Sequence, residues 1–364
     1  MVKVCHISTA HPPFDVRIFH KECVSLAEAG FDVSLVVTHS KNETVKNVKI
    51  VALPTSNGRF HRMIIKPFIA FKKALGTKSK IYHFHDPELM FIGILLKIFG
   101  KKVIFDSHEN VSNQIETKDW LGNKSIRKIV KIGYRLIEKF GILFYDKVIS
   151  VTPEIVAFLT PKKGVLIQNY PIVSLIESKS KTDKTTDKTV LIYAGGLSKI
   201  RGIKEICEAT EKANANVELQ LLGNWESENF KNECLKNKTK INYLGSKPLE
   251  EIFPIMKSAD VGLLTFYPVK NHLNCMPNKS FEYMICGLPI IMSDFPYWKG
   301  LYSSSSLFVN PNSVDEIKQK IEWVVNNKQA AKELGEKGKK EVLEKYSWEA
   351  EAKKLTQMYH EIIS

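Results

Sequence analysis

Apolar positions recur with two different periods along most of the chain. Short runs rich in β-branched residues predict strands, and the stretches between them, where apolar residues recur every three or four positions, predict helices. In the first half the predicted strands are residues 3–8, 33–37, 50–52, 82–84, 103–106, 147–151 and 165–167. In the second half they are residues 190–193, 217–222, 241–243, 261–264, 289–292 and 307–309. Strands that alternate with helices favour an α/β fold with parallel sheets.

A polar stretch separates the two halves. Residues 174–189 consist mostly of Lys, Ser, Thr and Asp, which is typical of a solvated loop. We therefore predict two Rossmann-like domains, residues 1–170 and 190–346, joined by a linker over residues 171–189, with their sheets facing across a cleft. Residues 347–364 predict a last helix whose apolar stripe packs back toward the first domain.

Composition narrows the class of protein. With 44% hydrophobic residues among 364, the chain has enough apolar side chains for two cores, which excludes intrinsic disorder. Its six cysteines include no C-x-x-C pair, so neither a structural zinc site nor a redox pair is expected. The first residues lack a signal-peptide pattern, and no apolar run reaches the length of a membrane span, about 20 residues. We therefore expect a cytoplasmic protein.

The positive charge is concentrated in the first half. Of the net charge of +14, residues 1–170 contribute +12, from 26 basic and 14 acidic residues. Residues 59–80 hold seven basic residues and no acid, interleaved with apolar side chains, and a second basic stretch spans residues 124–139. We expect this surface to bind the anionic inner face of the cell membrane rather than nucleic acid, since no nucleic-acid-binding module appears. A solvated helical face is the alternative.

A glycine-rich turn follows the strand predicted at 190–193. Gly195 and Gly196 come first, and Lys199 and Arg201 follow within the same turn. Glycines between a strand and a helix let backbone N–H groups approach a phosphate, and an arginine can bind it with two parallel hydrogen bonds. The spacing does not match G-x-G-x-x-G, so a dinucleotide fingerprint is not met, and a plain strand–helix turn is the alternative.

A second candidate for binding a phosphorylated ribose is the short helix predicted just before residue 287. Lys279 lies at its start and Glu282 in its second turn, among apolar neighbours. A carboxylate in apolar surroundings needs a partner, and a ribose diol, which donates two hydroxyl hydrogens, would supply one. An exposed helical glutamate is the alternative. The loop before this helix comprises Met276, Pro277 and Asn278.

Histidines and carboxylates follow three predicted strands of the first half. They are His11, Asp15 and Arg17 after the first strand, His85, Asp86 and Glu88 after residues 82–84, and His108 and Glu109 after residues 103–106. Because ligands of open α/β sheets bind beyond the carboxyl ends of the strands, these side chains predict a binding site at that edge. No ligand spacing among them is specific for a metal ion, and a single histidine is more often a hydrogen-bonded structural residue.

Several of these segments together resemble the bacterial family 4 glycosyltransferases. The segments are HPPFDVRIFHKE at 11–22, HFHDPE at 83–88, FDSHE at 105–109, and PNKSFEYM at 277–284 followed by GLP at 287–289. They occur in the expected order and cover nearly the whole chain. The resemblance implies a GT-B fold, an acceptor bound to the first domain and a nucleotide sugar bound to the second. It also implies retention of the anomeric configuration, with no metal or other cofactor required.

The resemblance implies roles for individual residues. Arg201 matches the basic residue that neutralises the donor diphosphate, and Glu282 matches the second acid of an E-x7-E motif, which holds the donor ribose. His108 matches the active-site histidine near the transferred sugar. Tyr243 and Gly245 match the loop that contacts the base.

Two positions depart from the family pattern. Asn274 stands where the first acid of E-x7-E contacts the sugar hydroxyls, so hydrogen bonding is retained there without charge. Gly196 stands where a second basic residue is often found, and Lys199 or Lys279 would supply that charge. These departures bear on the identity of the sugar.

The sequence therefore predicts a retaining hexosyl- or N-acetylhexosaminyltransferase. It would move a sugar from a nucleotide-diphosphate sugar, with UDP-sugar favoured over GDP-sugar, to a lipid-linked or saccharide acceptor in capsule or lipopolysaccharide assembly. The predicted catalytic residues are His108, Arg201, Lys279 and Glu282. Positive groups would stabilise the leaving phosphate, which takes the proton of the acceptor hydroxyl. The alternatives are a GT-B-fold nucleotide-sugar epimerase and a non-catalytic nucleotide-sugar-binding partner subunit.

Overall fold

The computed structural model describes residues 1–107, 115, 122–151, 153, 156, 163–182 and 186–364. Two units are distinguished within this part of the chain. One comprises Met1–Asn169 together with Trp348–Ser364, and the other comprises Tyr170–Ser347. His108 and Glu109, two of the predicted site residues, lie outside the described residues.

Among the described residues, the sheet of the first unit has eight strands, in the order β3-β4-β2-β1-β5-β6-β7-β8. All neighbouring pairs are parallel except β3 with β4. The strand order reverses between β1 and β5, so these two strands form the switch point of the sheet, where ligands of such folds bind. The strands are β1 (Lys3–Ile7), β2 (Asp32–Thr38), β3 (Glu43–Val45), β4 (Val48–Leu53), β5 (Ile81–Phe84), β6 (Lys102–Ser107), β7 (Lys147–Ser150) and β8 (Gly164–Leu166).

Helices connect these strands. The α-helices are α1 (Val24–Glu28), α2 (Gly58–Phe60), α3 (Lys66–Gly76), α4 (Met90–Ile98) and α5 (Lys124–Phe144). Two π-helical segments, Val16–Cys23 and His61–Ile65, lead into α1 and α3, and a 3-10 turn at Pro87–Leu89 leads into α4. Strand β5 is buried along its whole length, as expected of a central parallel strand covered on both faces.

The second unit has a six-stranded parallel sheet in the order β11-β10-β9-β12-β13-β14. Its switch point lies between β9 and β12. The strands are β9 (Thr189–Ala194), β10 (Val217–Leu222), β11 (Ile241–Gly245), β12 (Val261–Leu264), β13 (Ile290–Ser293) and β14 (Ser306–Val309). The helices are α6 (Val173–Glu177), α7 (Ile203–Lys212), α8 (Glu228–Leu235), α9 (Leu249–Ser258), α10 (Lys270–Leu273), α11 (Asn278–Ile285), α12 (Pro296–Tyr302), α13 (Val314–Asn326) and α14 (Lys328–Lys345). A 3-10 turn at Lys199–Arg201 precedes α7.

The last helix, α15 (Trp348–Ile363), belongs to the first unit. The Nε1 of Trp348 donates a hydrogen bond to the Oγ of Ser25 at 2.9 Å. The backbone N–H of Gln168 donates to the Oε2 of Glu351 at 3.0 Å. Leu355 is fully buried. The final helix therefore supplies part of the core of a unit that begins at the other end of the chain.

The predicted fold class is confirmed: the described residues form two Rossmann-like units with parallel sheets, and each predicted strand has a counterpart. Strand β3 is not predicted, because it is a three-residue polar edge strand without a readable period. The prediction of a solvated loop over residues 171–189 is wrong at its start. There Val173 and Ile176, three positions apart on one face of α6, pack into the core of the second unit.

Candidate functional site

Two loops of the second unit meet where its strand order reverses. Gly195 follows β9, and Thr265 follows β12. Gly202, with φ +68°, precedes α7, and a Cβ atom there would lie 2.1 Å from the carbonyl oxygen of Thr265. Gly223, with φ +136°, follows β10, and a Cβ atom there would lie 1.8 Å from the carbonyl oxygen of Gly195. Both positions require glycine, because one backbone approaches another without room for a side chain.

Arg201 lies over this glycine turn. Its Nη1 donates hydrogen bonds of 3.4 Å to the hydroxyl oxygen of Tyr193 and to the carbonyl oxygen of Gly196. Its guanidinium carbon lies 5.6 Å from the ring centre of Phe266. A guanidinium has five N–H donors, and these hydrogen bonds use only one of its nitrogens. The group is therefore oriented by the protein while it can still bind an anion.

Lys199, predicted beside Arg201, makes different contacts. Its Nζ lies 5.7 Å from the ring centre of Phe230, and its backbone N–H donates to the Oε2 of Glu226 at 3.2 Å. The contacts that the structure gives for the Lys199 side chain thus lie at α8 rather than at the glycine turn.

An aromatic pair lies beside the ends of β10 and β11. The hydroxyl of Tyr243 donates to the carbonyl oxygen of Gly223 at 2.9 Å, and the backbone N–H of Gly223 donates to the carbonyl oxygen of Gly245 at 2.9 Å. The rings of Tyr243 and Trp225 are 5.7 Å apart. The Nε1 of Trp225 is buried without a hydrogen-bond partner among the described residues. Sequence analysis missed Trp225, although its place just after a predicted strand is a usable signal.

Helix α11 carries the predicted ribose-binding acid. The Nζ of Lys279 lies 2.5 Å from the Oε2 of Glu282, and both side chains are partly buried. The partner that Glu282 needs is therefore present within the helix. The hydroxyl of Tyr283 accepts a hydrogen bond of 3.0 Å from the backbone N–H of Ala194, which fixes α11 against the end of β9.

The loop before α11 is held from two sides. The Nε1 of Trp298 donates a hydrogen bond to the carbonyl oxygen of Cys275 at 2.8 Å. The hydroxyl of Ser280 donates a hydrogen bond to the carbonyl oxygen of Pro277 at 2.7 Å. His272, missed by sequence analysis, hydrogen-bonds through Nδ1 to the carbonyl oxygen of Tyr267 at 3.0 Å. Burial lowers the pKa of His272, and the positive charge of Arg201 lowers it further. Residue by residue, Asn274 and Asn278 are exposed, and Met276 and Pro277 are half-buried.

Asp86 is the centre of a second cluster, at the switch point of the first unit. Its Oδ2 accepts hydrogen bonds from the hydroxyl of Ser8 at 2.9 Å and from the backbone N–H groups of Thr9 at 2.5 Å and Ala10 at 3.2 Å. Its Oδ1 lies 2.9 Å from the Nδ1 of His11. Burial alone would raise the pKa of Asp86, but the hydrogen bonds and the charge of His11 outweigh burial and lower the pKa to about 2. Asp86 is therefore an ionised group that holds His11 and the loop after β1.

Glu88 lies beside Asp86, but different groups surround its carboxyl group. Its Oε1 accepts a hydrogen bond of 3.1 Å from the hydroxyl of Thr9, and the Nε of Arg62 lies 3.7 Å away. Burial and the negative charge of Asp86 raise the pKa of Glu88. The pKa of Asp86 is thus lowered and that of Glu88 is raised. Asp86 is therefore suited to anchoring the loop, and Glu88 to holding a proton.

Arg17 and His85, predicted at the binding edge, lie deeper. Asp15 caps the π-helix by accepting from the backbone N–H groups of Arg17 and Ile18 at 2.8 and 2.9 Å. Arg17 is 5% exposed and pairs with Asp106 through two hydrogen bonds of 2.9 and 3.1 Å. The Nδ1 of His85 lies 3.2 Å from the same carboxylate. Because both side chains are bound to Asp106 inside the fold, we assign Arg17 and His85 a positioning role.

Lys66, one of the seven basic residues in the stretch 59–80, does not lie on the surface. Its Nζ donates to the carbonyl oxygen of Thr9 at 3.1 Å and to the hydroxyl of Thr38 at 2.6 Å, and the residue is 2% exposed. Burial lowers the pKa of Lys66, and the charge of Asp86 opposes this shift. Sequence analysis placed Lys66 on the surface because a lysine in a basic stretch gives no local sign of burial.

Helix α5 has an apolar face that no described residue covers. At 100° per residue its apolar side chains occupy one side of the helix, whereas Lys128, Arg135 and Lys139 lie along one flank of that side. The apolar residues, between 36% and 71% exposed, are Ile126, Ile129, Val130, Ile132, Leu136, Ile137, Phe140, Leu143 and Phe144. Further exposed apolar side chains precede and begin α3, namely Phe60, Met63, Ile64, Ile65 and Phe68. None of the described helices is long and apolar enough to cross a membrane.

Comparison with known proteins identifies the class. Residues 176–341, which lie within the second unit, match the model of the family Glycosyl transferases group 1. A curated relative, an uncharacterised glycosyltransferase of Methanocaldococcus jannaschii, is 21% identical over 334 residues, which cover 85% of this chain and 80% of the relative. The family match and this relative support glycosyltransferase as the class of enzyme.

Solved structures agree with this fold over the whole chain. Sucrose-phosphate synthase of Thermosynechococcus elongatus is 17% identical with a TM-score of 0.77, and the match covers 100% of this chain and 99% of that one. HepE of Anabaena in complex with UDP and glucose is 12% identical with a TM-score of 0.72, over 99% of this chain and 100% of that one. At these identities the likeness establishes the fold, which is GT-B.

Proposed function

We propose that this chain is a retaining glycosyltransferase that takes part in surface polysaccharide biosynthesis. It would move a sugar from a nucleotide-diphosphate sugar to a lipid-linked or saccharide acceptor, and we favour a UDP-sugar over a GDP-sugar as the donor. The observation that carries the proposal is Arg201, held over a glycine turn at the switch point of a group 1 glycosyltransferase domain. Support for UDP comes from HepE, a structural neighbour whose complexes contain UDP and UDP-glucose.

The donor diphosphate would bind at the glycine turn and the start of α11. When the bond between the sugar carbon and the diphosphate oxygen breaks, negative charge develops on the leaving phosphate. Arg201, Lys279 and the backbone N–H groups at the start of α11 would stabilise this charge. Glu282 would accept hydrogen bonds from the ribose hydroxyls, and Trp225 with Tyr243 would contact the base. In this proposal the diphosphate requires no metal ion.

The acceptor hydroxyl would attack from the face that the phosphate leaves, and the phosphate oxygen would take its proton. On the acceptor side we assign contacts to His11 and Glu88, which lie at the end of the first sheet, with Asp86 as the anchor of both loops. The proposed role of His108 near the transferred sugar stays a prediction from the resemblance, as does that of Glu109.

Nucleotide binding tests the donor site. The full chain is titrated calorimetrically with UDP, GDP, ADP and CMP, and we expect one diphosphate to bind best. Arg201→Gln should weaken its affinity by roughly 10- to 100-fold, because a charge-assisted hydrogen bond contributes about 1.5–3 kcal/mol. Lys332→Gln, which removes an exposed charge elsewhere in the second unit, is the matched control.

Transfer itself is then measured with the sugar conjugate of the preferred nucleotide, and NMR of the product reads the anomeric configuration. Equal affinities of the wild type and Arg201→Gln for every nucleotide would contradict the donor site. Tight binding without transfer to any lipid-linked or saccharide acceptor would instead favour a partner subunit. Interconversion of nucleotide sugars without acceptor would favour the epimerase.

We also propose that the outer face of α5 binds an anionic bilayer surface from the inner side of the cell membrane. An apolar helix face flanked by lysine and arginine inserts at the level of the lipid headgroups, with the cations at the phosphates. A groove of about 460 Å³ lies beside this face. Its lining is basic apart from one residue: Lys124, Arg127, Lys128, Lys131, Ile132 and Arg135. Charge complementarity therefore favours anionic lipid over a second copy of this basic chain.

Vesicle flotation tests the membrane face. We expect the full chain to float with vesicles that contain anionic lipid, less with neutral vesicles, and less as salt is raised. Ile129→Glu should abolish flotation, whereas Leu343→Glu, which changes an exposed apolar side chain in the second unit, should not. Flotation that is indifferent to lipid charge and to Ile129→Glu would overturn the assignment. Self-association abolished by Ile129→Glu, without any flotation, would point to a second copy instead.

A further inference from the structure

A group of buried histidines lies inside the first unit, below the loops of the acceptor side. His6 stands in the middle of β1, and His83 is its register partner on the neighbouring strand β5. His85 follows two positions after His83 and therefore points to the same face of the sheet. Glu22, from the π-helix that packs on this face, completes the group. All four residues are between 0% and 2% exposed.

The potential ligand atoms converge on one point. Each of the four residues offers one nitrogen or carboxylate oxygen, and these atoms lie within 4.8 Å of one another. The Nδ1 of His6 lies 3.0 Å from the Nε2 of His85, and the Oε2 of Glu22 lies 3.9 and 4.0 Å from these atoms. The Nδ1 of His83 lies 3.7 Å from the same oxygen. Ligands 2.0–2.1 Å from a tetrahedral Zn²⁺ are separated by about 3.4 Å, so the widest of these separations would shorten by up to roughly 1.4 Å when an ion is bound.

Two of these residues lack the hydrogen bonds that burial demands. Neither carboxylate oxygen of Glu22 has a hydrogen-bond partner among the described residues, and the same holds for the Nε2 of His83. The Nε of Arg17 lies 3.1 Å from the Oε1 of Glu22 as an ion pair, but Arg17 is already bound by Asp106 through two hydrogen bonds. The buried carboxylates of Glu22 and Asp106 thus share one buried guanidinium, and a cation beside Glu22 would supply its oxygens with the partner that they lack.

The outer nitrogens of His85 and His6 are oriented as they are in metal sites, whereas the Nε2 of His83 has no hydrogen-bond partner among the described residues. The Nδ1 of His85 hydrogen-bonds to the carboxylate of Asp106 at 3.2 Å, and the Nε2 of His6 hydrogen-bonds to the hydroxyl of Tyr359 at 3.1 Å. Ligating histidines generally donate their second ring N–H to a carboxylate or another oxygen, which fixes the ring and the tautomer. The second nitrogens of these two rings, the Nδ1 of His6 and the Nε2 of His85, hydrogen-bond to each other at 3.0 Å, and the Nδ1 of His83 hydrogen-bonds to the hydroxyl of Tyr359 at 2.8 Å. A bound ion would replace these hydrogen bonds.

The geometry points to a structural divalent-cation site, best matched to Zn²⁺, formed by His6, Glu22, His83 and His85. Three imidazoles and one carboxylate make a closed four-ligand set of the kind that zinc prefers. The ion would join β1, β5 and the π-helix, and through Tyr359 it would hold α15 in the first unit. This inference goes beyond the proposed transfer reaction and does not depend on it, because the ion would contact neither donor nor acceptor.

The test measures metal rather than transfer. The full chain is produced with Zn²⁺ in the medium, desalted and analysed by mass spectrometry for bound metal, and we expect one Zn²⁺ per chain. Replacement by Co²⁺ should give the strong visible absorption of tetrahedral Co²⁺, without the ultraviolet band of a thiolate ligand. Glu22→Gln and His85→Gln should each remove the bound metal. His360→Gln, an exposed histidine next to Tyr359, is the matched control and should retain it.

A milder variant covers the case in which Glu22→Gln or His85→Gln does not fold. Tyr359→Phe keeps the ring in the core and removes only the hydroxyl, so it should fold and lower the affinity for Zn²⁺ by about 10- to 100-fold. The proposal is overturned if the wild-type chain binds no stoichiometric Zn²⁺, if Co²⁺ gives only the weak spectrum of octahedral coordination, or if Tyr359→Phe leaves the affinity unchanged. In those cases the cluster is a hydrogen-bonded network without an ion.

Discussion

Individual carboxylates in this protein differ because of the groups that reach them. Asp86 is buried and yet ionised, since hydroxyl and backbone N–H donors converge on it. Glu282 is partly buried and pairs with one lysine of its own helix. Glu88, a short distance from Asp86, has fewer donors and a raised pKa. Residue type therefore gives the class of chemistry, whereas the neighbours decide whether a carboxyl group anchors a loop or handles a proton.

Gly223 offers a test at the scale of one residue. In Gly223→Ala the new Cβ would meet the carbonyl oxygen of Gly195, so the glycine turn must move away. We expect a loss of about 1–3 kcal/mol in the free energy of unfolding, as for a strained backbone position, together with weaker nucleotide binding. Urea unfolding and calorimetry measure the two effects. Gly300→Ala, inside α12 with nothing within 4 Å of the added Cβ, should lower neither the free energy of unfolding nor the nucleotide affinity; an equal loss in both variants would refute the argument.

Single elements show the same dependence on context. Helices α5 and α15 are both amphipathic, but α15 buries its apolar stripe in the first unit while α5 leaves its apolar face exposed. The sequence pattern is alike in the two helices. Because the exposed face of α5 carries flanking cations, we interpret it as a face for another surface rather than as a defect of packing.

Substitution of Leu355 tests how much α15 contributes to the stability of the first unit. The side chain is fully buried, so Leu355→Ala should lower the free energy of unfolding by about 2–5 kcal/mol. Lys353→Ala, on the exposed side of the same helix, should change it by less than about 0.5 kcal/mol. Denaturant unfolding followed by circular dichroism gives both values. A small effect of Leu355→Ala would mean that α15 is dispensable for the core.

At the scale of the whole molecule, the two units are connected differently. The second unit is one continuous segment, Tyr170–Ser347, with its own sheet and core. The first unit is discontinuous, since it needs α15 from the other end of the chain. Folding of the first unit is therefore complete only when the last residues are available.

This asymmetry predicts different behaviour of fragments. Residues 170–347 alone should unfold cooperatively and bind the nucleotide that the full chain prefers. Residues 1–169 alone should not unfold cooperatively, but the same fragment joined to residues 347–364 by a flexible linker should do so. Thermal unfolding followed by circular dichroism tests the three fragments. Cooperative unfolding of residues 1–169 without α15 would contradict this account.

Sequence alone determined the features that depend on neighbours along the chain. The strand and helix periods predicted two α/β units. The glycines after β9 and the polar residues after β1, β5 and β6 predicted binding sites at strand ends. These signals are local, because a hydrophobic period or a turn depends on residues that are adjacent in the sequence. The polar edge strand β3 and the helix α6 were missed, since both are too short for a period to show.

Only the tertiary structure decided which distant residues meet. Arg17 pairs with Asp106, and His83 meets Tyr359 of the last helix, although long stretches of chain separate each pair. Lys66 turned from an expected surface charge into a buried group for the same reason. Burial and pairing of a charge are set by packing between elements, and packing leaves no mark on the sequence around any one of the partners. The cluster of His6, Glu22, His83 and His85 belongs to this second class, because its four members come from three separate segments.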